Sequence, residues 1–66
     1  MEDVRLVMDF NALIIKSGIT GQSIPSEKLS EAKMAADRLK SQGVFPFDFT
    51  DDSSFLRSVA EFAKSF

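Results

Sequence analysis

The sequence has no cysteine, no histidine, no tryptophan and no tyrosine, only two prolines and three glycines, and no long apolar run. Each absence removes a class of explanation. Without cysteine there is no disulfide to stabilise a small fold, and the composition suits a reducing compartment. Without histidine or cysteine, a zinc site would have to be made of carboxylates alone. Serine or cysteine nucleophiles would also lack their usual base. No side chain has an unperturbed pKa near neutrality, which leaves no obvious proton shuttle. The longest apolar stretches fall far short of the roughly 18 residues needed to cross a bilayer. The first residues, MEDV, are acidic where a secretion signal would be basic. The expectation is a cytoplasmic protein that is not an enzyme, with no cofactor and no membrane partner.

Charge is balanced, with ten acidic against eight basic residues. A phosphate-binding surface normally shows a clustered positive excess, so nucleic acid is an unfavoured partner. Hydrophobic content of 44% argues against intrinsic disorder. Sixty-six residues allow one domain, residues 1–66. A chain this short buries only about 60% of its unfolded surface.

Periodicity predicts three helices, over about 2–17, 26–42 and 51–65, and an all-α class. In the first, Glu2, Arg5, Asp9, Ala12 and Lys16 share a narrow face and apolar residues fill the rest. An ordinary surface helix buries a stripe of little more than about 100°, so this one needs cover on more than one side. Either the other two helices flank it or a second copy does. Gly18 is placed to end it, with Lys16 close to the terminal carbonyls. Gly21, Gln22 and Ser23 form a loop. Ser26 is the expected cap of the second helix and Glu27 puts negative charge in its first turn, with an earlier start at Ser23 as the alternative. Leu29, Ala32, Ala35, Ala36 and Leu39 make its apolar stripe, and Met34 points away from it. Gly43 suits a left-handed stop, after which Val44 would pack back on Leu39.

The stretch GVFPFDFTDD comes next. Pro46 forces Phe45 out of helical geometry. An extended turn over 44–49 would direct Phe45, Phe47 and Phe49 to one side. The TDDSS run then offers caps and negative charge for the last helix. Phe55, Leu56, Val59, Phe62, Ala63 and Phe66 form its apolar face.

Motifs for chemistry are weak. Asp48, Asp51 and Asp52 resemble a calcium loop only superficially, since the required glycine and distal glutamate are missing. GITGQS is too short for a phosphate loop and Lys28 lies too far along. The span 14–42 could form a helix-turn-helix. Its second helix carries acids among its bases, which a recognition helix in the major groove would find costly, and the connection is long.

About twenty large apolar side chains remain to be hidden. A domain this small has difficulty covering them all, and exposed apolar patches mark interaction sites. These observations point to a dimeric helical protein that binds a larger protein without catalysis, as a small regulator, inhibitor or adaptor of bacterial or phage type. That source is a fold-level association. The alternative is a DNA-binding regulator of helix-turn-helix type. Candidate contact residues for the partner or the second copy are Val7, Phe10, Ile14, Met34, Phe45, Phe47 and Phe49. The three phenylalanines of the turn could equally belong to the chain's own core.

Overall fold

The computed structural model describes residues 2–65 and contains three helices: α1 (Glu2–Thr20), α2 (Ser26–Ser41) and α3 (Asp52–Ala63). Among the described residues there is no strand, and the chain is all-α as its periodicity predicts. Phe66, expected on the face of α3, lies outside the described residues.

α1 is the central element and packs against both of the others. Asp3 near its start pairs with Arg38 near the end of α2, while Phe10 and Leu13 lie beside Lys28 and Ala32 near the start of α2. The two helices therefore run antiparallel. The α2 stripe that meets α1 contains Ala32, Ala35 and Ala36, each 1% exposed or less. Small side chains at these positions let the helix axes come close, and Leu39 fills the space beside them. From the other flank, Phe55 of α3 stacks on Phe10 of α1 with ring centroids 5.8 Å apart.

The helix ends differ in part from expectation. α1 does not stop before Gly18 but runs on to Thr20, and the residue with positive φ is Gly21. The Gly21 amide donates to the Ser17 carbonyl at 2.8 Å, and the Thr20 hydroxyl donates to the Lys16 carbonyl at 3.0 Å. These two contacts satisfy carbonyls that a stop at Gly18 would have left open, and Lys16 sits one turn earlier than a dipole partner should. Pro25, not Ser26, occupies the N-cap of α2, and no side chain caps it. The Pro25 carbonyl instead accepts from the Lys28 and Leu29 amides. The fixed φ of proline suits the entry to a helix, and Ser26 falls one residue inside it.

The α2 end has the geometry that Gly43 and Val44 predict. Gly43 has φ 76°. The Val44 amide donates to the Leu39 carbonyl at 2.8 Å and the Gly43 amide to the Lys40 carbonyl at 3.0 Å. Together these bonds make a Schellman motif. Val44 is half-buried against the core that includes Leu39. The reversal carries Phe45 straight into the core, where it is 1% exposed. At the start of α3, Asp51 accepts from the Ser54 amide at 2.8 Å while the Asp51 amide donates to the Ser54 hydroxyl. This reciprocal pair is a capping box.

Six phenylalanines form one connected group. Phe45 meets the rings of Phe47, Phe49 and Phe62, and Phe49 meets Phe55 at 4.7 Å, which in turn reaches Phe10. Most of these pairs are tilted or edge-on, the arrangement that ring quadrupoles favour. The turn over 44–49 is thus the lid of the core. It is held to α3 by Ser58, whose hydroxyl donates to the Ser54 carbonyl at 2.8 Å and lies 3.5 Å from the Asp48 carbonyl.

Candidate interaction surfaces

The core assigns the seven candidate contact residues to three environments. Val7, Phe10 and Phe45 are 0%, 4% and 1% exposed. They are held inside this chain and offer no surface to another, so they drop out as contact residues. Ile14, Phe47 and Phe49 are half-buried and packed against the same core. Met34 alone of the seven stands in water, on the side of α2 turned away from its alanine stripe.

Two further large apolar residues are exposed. Ile19 is 81% exposed and Ile15 58%. With Met8 and Ala12 they fall within about 60° of one another on α1, at roughly 100° per residue. Met8 is half-buried and Ala12 exposed. This stripe occupies the flank of α1 away from the α2 groove. On the helical wheel Ile15 lies well off the direction shared by Val7, Phe10 and Ile14, but the wheel alone does not say which of the two directions is covered. Ile19 falls beyond a helix that ends at residue 17. The exposure does not come from splayed helices. The radius of gyration is 11.0 Å, which is what a compact chain of this length has.

A second feature lies farther round α1. A groove of about 230 Å³ opens between α1 and α2, with Leu6, Phe10, Leu13 and Ala32 as its apolar floor. Asp9, Lys28 and Glu31 form its rim. Small-molecule sites usually span about 300–1,000 Å³. At that size the groove has room for one or two side chains.

Surface charge is largely tied up within the fold. Every basic residue of α2 has an acidic partner: Lys28 with Glu31, Lys33 with Asp52, Arg38 with Asp3 and Lys40 with Asp48. In the Arg38 pair, Nε and Nη2 donate to the Asp3 carboxylate at distances from 2.7 Å to 3.2 Å. Such a fork is the geometry in which a guanidinium binds a carboxylate best. The hydrogen bond from Arg38 holds the Asp3 carboxyl below its ordinary range, and the Asp3 carboxylate raises Arg38 in return. Asp51 is lowered as well, first by the Ser54 amide and then by the Ser54 side chain. Arg5, Asp9 and Lys16 on α1 have no such partner among the described residues.

These surfaces belong to a small all-α protein of three helices. Comparison with known proteins returns no match among family models, curated proteins or solved structures. No helix among the described residues is long and apolar enough to cross a membrane.

Proposed function

We propose that this chain is a non-enzymatic, cytoplasmic protein-binding module, a homodimer that acts as a small regulator, inhibitor or adaptor by covering a surface on a larger protein. One observation carries this reading. A domain this small depends on its apolar side chains for stability. It nonetheless leaves Ile15 and Ile19 in water and an apolar groove open elsewhere on the same helix. The division of labour follows from geometry. A ridge of isoleucines suits a flat or ridged partner, which a second copy supplies. A groove with an apolar floor takes an inserted side chain of the larger protein.

The charge pattern weighs against the helix-turn-helix alternative. The bases on α2 are each paired with an acid. They would present phosphates with mixed charge rather than a positive face.

The test is retention of a larger protein from host extract by the tagged chain, followed by binding between the two purified proteins. Leu13→Lys places a charge on the groove floor at a half-buried position and should abolish that binding while helical circular dichroism persists. A wild-type chain that retains nothing, or binding indifferent to Leu13→Lys, removes the support. Tight binding to duplex DNA that falls steeply with salt would favour the alternative.

A further inference from the structure

We draw no further inference here: the strongest candidate, the apolar stripe on the flank of α1 where Ile15 and Ile19 stand exposed, carries nothing because nothing in the structure shows what covers it.

Discussion

α1 and α2 both end on a glycine with φ near the same value, 75° at Gly21 and 76° at Gly43, yet the two ends have opposite fates. After Gly43 come Val44 and Phe45, one half-buried and one sealed inside the core. After Gly21 come Gln22 and Ser23, both exposed, and Ile19, two residues before it, stands in water. The left-handed glycine releases the chain from the helix in each case. The residues beyond it decide whether the end is welded to the core or left free to meet another molecule. The Gly43 end is made for stability, and the Gly21 end of α1 leaves apolar surface over.

The sharpest way to break this contrast is to remove the residue that makes it. Phe45→Ala deletes the hub of the ring cluster, and truncation of a buried phenylalanine costs about 3–5 kcal/mol. A domain this small has about that much in total, so thermal scans should find the variant largely unfolded. Next comes a paired comparison of the glycines. An alanine at either position meets no steric obstruction. It must, however, adopt the left-handed region, at a cost of about 1–2 kcal/mol. Gly43→Ala should show that full loss in denaturant midpoint, because Val44 and Phe45 depend on the geometry. Gly21→Ala should show clearly less, because fraying of the last turn of α1 relieves the strain. Equal losses would mean that the α1 end is as firmly held as the α2 end.

Asp51→Ala, which removes the cap of α3, should lower the melting temperature by roughly 5 °C. The capping also has a pH signature. Asp51 and Asp3 have folded pKa values below their unfolded ones. Their contributions are complete above the unfolded value, about 3.9, and are lost as pH falls through the folded values. The chain should lose stability with acid below about pH 4, and Asp51→Ala should flatten that slope. The smallest effect is a gain. Gly18 is helical and a methyl group there would touch nothing within 4 Å. Gly18→Ala should stabilise the chain by about 0.5–1 kcal/mol, which a small upward shift in melting temperature would register.

Helix number, class, the α2 end and the α3 start were legible because they depend on local signals. Gly43 followed by Val44 announced a Schellman end, and the TDDSS run announced a capped start. The end of α1 was not legible, because Gly18 and Gly21 carry the same local signal. The choice between them fell to the Thr20 hydroxyl and the Gly21 amide, which together close the terminal carbonyls. Ser26 lost the cap to Pro25, whose carbonyl accepts from the Lys28 and Leu29 amides while no side chain caps the helix.

Local signals, periodicity at about 3.6 residues per turn and the Gly43 stop, told on their own that this chain makes three helices, that α1 is oily around more than half its circumference, and that the chain leaves α2 at Gly43 ahead of the phenylalanine run. They could not tell which part of the α1 arc its neighbours would cover. Val7, Phe10 and Ile14 were the expected contact residues, and Ile15 and Ile19 were not. That choice depended on the path of the whole chain: α2 and α3 pack on two flanks of α1 that meet at Phe10, and Phe45 joins the same core. Contacts between residues far apart in sequence settle burial, and a pattern read along one helix contains no record of them.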